Sequence, residues 1–208
     1  MTIDTQNLIN SIMDSLDSIS FVKVEELPGI DLYVDQVTTY MDKLLRNTTR
    51  SEEDKILTKT MINNYAKNNL LPSPDKKKYS KEHMLILIFI YYFKNILSIN
   101  DIQMLLNPLN DKFFNKESGF SVADVYAEVS KLEKYQVENL KKDLLAKYEQ
   151  ASEEFGDIEG EDKEFLQMFS FICSLIFDVY IKKLIIEKML DDYTAKHKDN
   201  MNDNKKKK

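Results

Sequence analysis

The chain has very few of the residues on which catalytic and metal sites most often depend. It has one cysteine, two histidines and no tryptophan, so no disulfide can form within it and no cysteine/histidine cluster is available for zinc. None of its four glycines lies in a phosphate-binding loop pattern. The sequence therefore predicts a protein that is not an enzyme and that binds no cofactor or metal. We expect Cys173 to be a small core residue and His83 to lie on the surface of a helix.

Long hydrophobic runs are also scarce. The most apolar stretch, residues 165–181, is 17 residues long and contains Gln167, Ser170, Ser174 and Asp178, whereas a membrane span needs about 20 mostly apolar residues. The first fifteen residues lack the basic start and apolar run of a signal peptide. A single thiol also suits a reducing compartment. We therefore expect a cytoplasmic protein with no membrane partner.

Glycine and proline are scarce too, with four of each, which leaves little room for a fold rich in hairpins. Apolar residues instead recur at three- and four-residue spacing, the pattern of helices with one buried face. The sequence predicts an all-α fold with a minimal β wing. The predicted helices cover residues 4–16, 33–45, 58–68, 80–95, 98–106, 121–154 and 163–195. Ser98 and Asp101 are expected to form a capping box at the start of the fifth helix. Asn107 and Pro108 are expected to end this helix, because proline disrupts a helix interior.

The net charge of −6 hides an uneven distribution of charge along the chain. Residues 1–54 carry −7, residues 55–94 carry +6, residues 101–196 carry −8, and the segment from 197 onward carries +3. A nucleic-acid-binding surface depends on local positive charge more than on the total. Residues 55–94 are therefore the segment in which such a surface is expected.

A helix capped by Thr58 would divide the next residues between two faces. Ile62 and Tyr65 would point to the core, and Asn69 would close the helix in the left-handed conformation. An asparagine amide can pair with adenine, and lysine or threonine can contact phosphates and base edges. Considered alone, such residues usually form only a solvated helix face. The exposed face would carry the candidate DNA-binding residues Lys59, Thr60, Asn63, Asn64 and Lys67.

A short basic turn follows that helix. The segment from Leu70 to Pro74 is expected to be extended, because proline disfavours helix in the residue before it. Lys76, Lys77 and Lys78 come next. A lysine turn by itself is usually a solvated loop, but on a projecting wing these residues would meet the DNA backbone or the minor groove. They complete the set of candidate DNA-binding residues.

The same region resembles the winged helix-turn-helix of MerR-like transcription regulators. In that family an aliphatic and an aromatic residue precede Leu-Leu-Pro, a Tyr-Ser pair begins the next helix, an apolar triple follows, and a further short helix ends in paired leucines. The match covers about 50 residues closely. The matching residues are Ile62, Tyr65, Leu70, Leu71, Pro72, Tyr79, Ser80, Met84, Leu87, Ile90, Leu97, Ser98, Ile99, Ile102, Leu105 and Leu106.

The resemblance implies a winged helix-turn-helix domain over residues 31–109 that binds double-stranded DNA and regulates transcription. The chain also resembles a family of uncharacterised proteins from low-GC Gram-positive bacteria that share its LTKTMINNYAK segment. Four features depart from the MerR-like pattern. Asn63 and Asn64 stand where arginine and tyrosine are usual, and the wing is shorter and has lysines but no arginine. The connector between the first two helices is longer than the tight turn of that family, and its C-terminal sensor segments have no clear counterpart here.

The C-terminal half is expected to form a helical hairpin over residues 120–196, used for dimerisation or sensing, followed by a disordered basic tail over 197–208. Its second helix has more apolar surface than one neighbour can cover. The N-terminal helix and arm of residues 1–30, the DNA-binding domain or a second subunit could cover it. We favour a homodimer, because palindromic sites call for two-fold symmetric readers. The apolar residues are Phe165, Met168, Phe169, Ile172, Ile176, Phe177, Val179 and Tyr180.

The sequence leaves two further possibilities open. A pocket lined by aromatic and methionine side chains could bind an unknown small-molecule effector, although aromatic stripes are usually core. Alternatively, the hairpin could dock another protein and use the winged fold only as a scaffold. The chain would then be a protein-interaction module.

Overall fold

The computed structural model describes residues 5–17, 21–116 and 119–206. It confirms a helical fold with minimal β structure. The helices are α1 (Thr5–Asp17), α2 (Val34–Leu45), α3 (Lys59–Lys67), α4 (Lys81–Phe93), α5 (Ile99–Phe113), α6 (Val122–Ser130), α7 (Leu132–Glu153) and α8 (Glu161–Lys206), and the strands are β1 (Leu32–Tyr33) and β2 (Lys78–Tyr79). Short 3₁₀ turns cover Val24–Glu26 and Arg46–Thr48.

The chain divides into two compact units. The smaller unit comprises residues 1–21 and 131–184, and the larger unit comprises residues 22–130 and 185–208. Helix α6 belongs to the larger unit with the helices before it.

The larger unit is built around α4. This helix is apolar almost all round, and such a helix must be covered on several sides. Every residue from His83 to Tyr91 is buried, and α2, α5, α6 and β2 all contact the helix. We expected His83 on the surface, and that was wrong, since its side chain is only 3% exposed.

A two-stranded antiparallel sheet lies beside these helices. Leu32 of β1 pairs with Tyr79 of β2, and Tyr33 pairs with Lys78. Tyr33 was predicted as the start of a helix, but its backbone is extended and it caps α2. The cap is held by a hydrogen bond of 2.9 Å, donated by the Tyr33 backbone N–H to the Gln36 side chain.

The fifth helix does not end where the sequence predicted. It continues through Pro108 to Phe113. An internal proline removes one helical hydrogen bond, at a cost of about 3 kcal/mol. Leu109 and Phe113, which lie beyond the proline, pack against the core of the larger unit. Their burial offsets the cost.

The single helix expected over 121–154 is divided into α6 and α7 by a turn at Lys131. The apolar residues on its two sides serve different cores. Tyr126 is buried in the core of the larger unit, whereas Leu144 and Ala151 are buried in the core of the smaller unit. The spacing of the apolar residues in this segment, which is mostly three and four, therefore did not indicate one helix with one partner.

The core of the smaller unit is formed by α1, α7 and α8. Its buried side chains are Ile9, Leu16, Leu144, Ala151 and Phe171. The expected pairing of the two C-terminal helices is present in it, with α1 as a third member. Cys173, which we expected in a core, is only partly buried.

The last helix is longer than the sequence predicted. It begins at Glu161 and continues to Lys206, through most of the segment expected as a disordered tail. That segment contains neither glycine nor proline, so it lacks the usual stop signals for a helix. Residues 207–208 lie outside the described part of the chain. Among the described residues, no helix has both the length and the apolar character to cross a membrane.

Candidate nucleic-acid interface

The exposed face of α3 is the first part of the candidate interface. Ile62 and Tyr65 are buried, whereas Lys59, Thr60, Asn63, Asn64 and Lys67 are all exposed. At about 100° per residue these five side chains span about 140° of the helix circumference. An α-helix with its side chains is about 10–12 Å in diameter, and the DNA major groove is about 12 Å wide. The helix therefore has the size and the polar face that a groove requires.

Both ends of α3 are fixed. At its start the Thr58 hydroxyl accepts a hydrogen bond of 3.2 Å from the Met61 backbone N–H, as the sequence predicted. At its end Asn69 has a φ of 57°, also as predicted, and the Leu70 N–H donates to the Tyr65 carbonyl over 2.9 Å. These are the features of a helix closed by a left-handed residue.

A tether from α5 adds to this closure. The Gln103 side-chain amide donates a hydrogen bond of 2.6 Å to the Asn68 carbonyl at the end of α3. No local pattern in the sequence predicts this bond, since the two residues are 35 positions apart. The polar face of α3 is thus held on a rigid support, which favours sequence-specific contacts.

The basic turn is the second part of the candidate interface. Lys76, Lys77 and Lys78 are all exposed. The turn is closed by a hydrogen bond of 2.8 Å from the Lys78 N–H to the Asp75 carbonyl. Lys76 has a φ of 46° and Lys77 a φ of 66°, so both lie in the left-handed region. Turns of this kind normally use Asn-Gly, because a left-handed conformation costs other residues about 1–2 kcal/mol each.

Contacts around β1 bring the two parts together. The Lys78 ammonium lies 5.5 Å from the centre of the Tyr33 ring, a distance that allows a cation–π interaction. Two residues after Tyr33, in the first turn of α2, the Asp35 carboxylate forms an ion pair with Lys59. The basic turn and the start of α3 therefore flank the same β1–α2 junction.

The ion pair also affects the charge of this surface. The side chains of Lys59 and Asp35 are 60% and 63% exposed, and an exposed pair contributes only about 0–1 kcal/mol. Lys59 can therefore exchange this carboxylate for a phosphate at little cost. The candidate residues include five lysines. Two carboxylates lie beside them: Asp35, which pairs with Lys59, and Asp75, which begins the basic turn.

His83 supports the segment between α3 and the basic turn. Its Nδ1 accepts a hydrogen bond of 3.0 Å from the Ser80 N–H. Its Nε2 then carries the proton and donates to the Ser73 carbonyl over 3.4 Å. Burial lowers the pKa of His83, and the Ser73 carbonyl and the nearby Asp31 charge offset this in part. The imidazole is thereby kept neutral, the form in which it can hold both partners.

Sequence reasoning missed both His83 and Tyr33. A usable signal existed for His83, since it stands three residues after Ser80, at the position where a capping box has glutamate or glutamine. For Tyr33 no local signal could suffice, because its role depends on pairing with β2.

An open groove of about 550 Å³ lies elsewhere in the larger unit, beside α5. Met104 and Tyr193 line it together with polar side chains that include Asn100, Gln103 and Asp111. Its composition matches the methionine and aromatic pocket considered for an effector only in part, because polar residues predominate. In the part of the chain that the structure describes, no three His, Cys, Asp or Glu side chains are grouped as a metal ion would require.

One family matches the chain. It is described as a domain of unknown function, DUF1836, and it matches residues 22–129, just over half of the chain. The match begins at the first residue of the larger unit's main segment, Val22, and ends one residue before that segment does. No curated protein and no solved structure matches the chain significantly.

Proposed function

The chain belongs to the DUF1836 family, and we propose that it is a non-enzymatic transcription regulator that binds double-stranded DNA. The fold proposed for its larger unit is a winged helix-turn-helix, with α2 and α3 as the two helices of the motif and the basic turn as the wing. The order β1, α2, α3, β2, α4 supports this proposal.

The observation that carries the proposal is the placement of the eight candidate residues. The polar face of α3 and the basic turn flank one junction, connected through Tyr33 and Asp35. A groove-reading helix beside a basic wing is how winged proteins contact bases and backbone together.

Roles follow from the chemistry of the side chains. Asn63 and Asn64 would pair with adenine edges in the major groove. The lysines of α3 and of the basic turn would neutralise phosphates, and Thr60 would donate to a phosphate or a base. Because the lysines lack the bidentate geometry of arginine, we propose recognition of A·T base pairs rather than guanine.

The test is a selection of DNA sequences from a random pool with the full-length protein, repeated at two salt concentrations. We expect an enriched motif rich in A·T base pairs and a retained fraction that falls as salt increases. A two-fold symmetric motif would show that the protein binds as a homodimer and would give the half-site spacing. Folded protein that enriches no sequence and retains no DNA at low salt would contradict the proposal.

The second candidate is a protein-interaction module, and one observation favours it. Large apolar side chains on α8, including Phe165 and Phe177, are more than half exposed, and such surfaces usually contact another protein. The protein-interaction candidate uses the smaller unit, whereas DNA binding uses the larger unit. The selection experiment therefore tests DNA binding alone.

A further inference from the structure

The helix α8 exposes a broad apolar surface of the smaller unit, which includes Phe177, Tyr180 and Ile181. Phe171 and Leu175 of this helix pack in the core of the unit, and Asp178 pairs with Lys147 of α7 over 3.0 Å. A different face of α8 carries an apolar strip, which we define as Phe165, Phe169, Ile172, Ile176 and Val179. Their side chains are 67%, 54%, 46%, 57% and 64% exposed, respectively.

The spacing along this apolar strip alternates between four and three residues. That is the repeat of a helix that packs along a second helix. Each half-exposed side chain of this size contributes about 100 Å² of apolar surface, so the strip offers about 500 Å². Two such strips in contact would bury about 1,000 Å², the lower bound for a specific interface.

The charged residues at the two ends of the strip indicate which partner covers it. Glu161 and Asp162 lie at its N-terminal end, and Lys182 and Lys183 lie at its C-terminal end. Glu161, Asp162, Lys182 and Lys183 are all exposed. Lys182 also pairs with Asp178 of its own helix over 3.2 Å, but an exposed pair contributes only about 0–1 kcal/mol and can be exchanged. A helix with acids at one end and lysines at the other is complementary to itself when two copies run antiparallel, and it repels itself when they run parallel.

We propose that the apolar strip is the homodimer interface and that two copies of α8 pair there antiparallel. In the pairing that aligns both strips from end to end, Phe165 lies opposite Val179 of the second copy, and Ile172 lies opposite Ile172. The two acids of each copy then lie beside the two lysines of the other. This interface goes beyond DNA binding and does not depend on it, because it lies in the smaller unit.

The first experiment measures the mass of the full-length protein in solution across the micromolar range, without DNA, for Ile172→Glu and for Ile181→Glu. Both isoleucines are on α8 and about half exposed, at 46% and 53%, but Ile181 is outside the strip. We expect dimers for the wild type and Ile181→Glu. For Ile172→Glu we expect the dissociation constant to rise by about 100-fold, because two charges would be buried in the interface. A monomeric wild type would overturn the proposal, as would equal effects of the two substitutions.

The second experiment tests the orientation with charge reversal. Replacing Lys182 and Lys183 by glutamate should weaken an antiparallel dimer, because acids would then face acids. Adding Glu161→Lys and Asp162→Lys to the same chain should restore it. A parallel dimer would gain nothing from the second pair of changes, and that result would overturn the proposed orientation. Circular dichroism checks that each variant remains helical.

Discussion

The two units of this chain differ in how completely they bury their apolar residues. The larger unit buries nine consecutive residues of α4, whereas the described part of the smaller unit has five buried core residues and leaves the apolar strip of α8 exposed. The polar face of α3 and the turn with two left-handed lysines thus lie on the unit with the larger buried core. The smaller unit retains apolar surface that a partner can cover. The two proposals assign DNA binding to the larger unit and assembly to the smaller unit, in line with this difference.

The largest expected effect tests the stability of the larger unit. Leu87 of α4 is fully buried, so Leu87→Ala should lower the free energy of unfolding by about 3 kcal/mol. Ile181→Ala on the exposed surface of α8 should change it by less than about 0.5 kcal/mol. Urea denaturation followed by circular dichroism measures both. Similar losses in the two variants would show that α4 is not the main source of stability.

The next largest effect is expected from changes to the basic turn of the larger unit. Replacing Lys76, Lys77 and Lys78 together by alanine should weaken binding to all DNA sequences by about 100-fold at low salt. It should also reduce the slope of log affinity against log salt by about 2.7, which is about 0.9 for each phosphate that is no longer neutralised. The control replaces Lys112, Lys116 and Lys142, which are exposed outside the proposed interface. If both variants bind DNA equally weakly, affinity depends only on net charge, and the basic turn has no special role.

A smaller effect separates base reading from charge. Asn63→Ala should leave the salt slope unchanged, because it removes no charge. It should reduce the preference for adenine at one position by about 2 kcal/mol, or about 30-fold. Asn7→Ala, on α1 of the smaller unit, is the matched control. Fluorescence anisotropy with the selected site and its single-base variants measures the preference. An unchanged preference would exclude Asn63 from base reading.

The pH dependence of stability tests the support beneath the interface. Burial lowers the pKa of His83, so the unfolded state binds the proton more readily than the folded state. Neutral His83 therefore makes its full contribution to the free energy of unfolding above the ordinary pKa of about 6.5, and this contribution is lost as the pH falls below that value. The urea midpoint should fall more between about pH 7.5 and 5.5 in the wild type than in His83→Gln. His197→Gln, at the only other histidine, should behave like the wild type.

Local signals in the sequence predicted much of the fold. Periodicity indicated the buried face of α3, and the caps at Thr58 and Asn69 are as expected. At Ser98 the predicted capping box is also present, with the Asp101 N–H donating to the serine hydroxyl over 3.2 Å. Each of these features depends on residues within one or two turns, so the local sequence contains the information.

Features that depend on distant contacts could not be predicted in this way. The helix through Pro108 and the turn at Lys131 depend on which core buries the neighbouring apolar residues. The pairing of Tyr33 with Lys78 joins segments 45 residues apart. All eight candidate residues are exposed as predicted, but the link between their two groups, through Tyr33 and Asp35, was visible only in the structure.

The smallest expected effect has opposite signs for stability and for binding. Lys76 and Lys77 occupy left-handed positions that Asn-Gly would adopt with less strain. Replacing them by Lys76→Asn and Lys77→Gly should therefore raise the free energy of unfolding by about 1 kcal/mol. The same variant lacks two positive charges, so its salt slope for DNA should fall by about 1.8.

The control for this variant is Lys76→Ala with Lys77→Ala, which removes the same charges without relieving the strain. It should show the same reduction of the salt slope and no gain in stability, because alanine also disfavours the left-handed region. If the Asn-Gly variant is less stable than the wild type, the turn is not strained. If it is more stable and binds DNA equally well, the lysines do not contact phosphate. A gain in stability together with weaker binding would mean that the turn retains two strained lysines because they contact DNA.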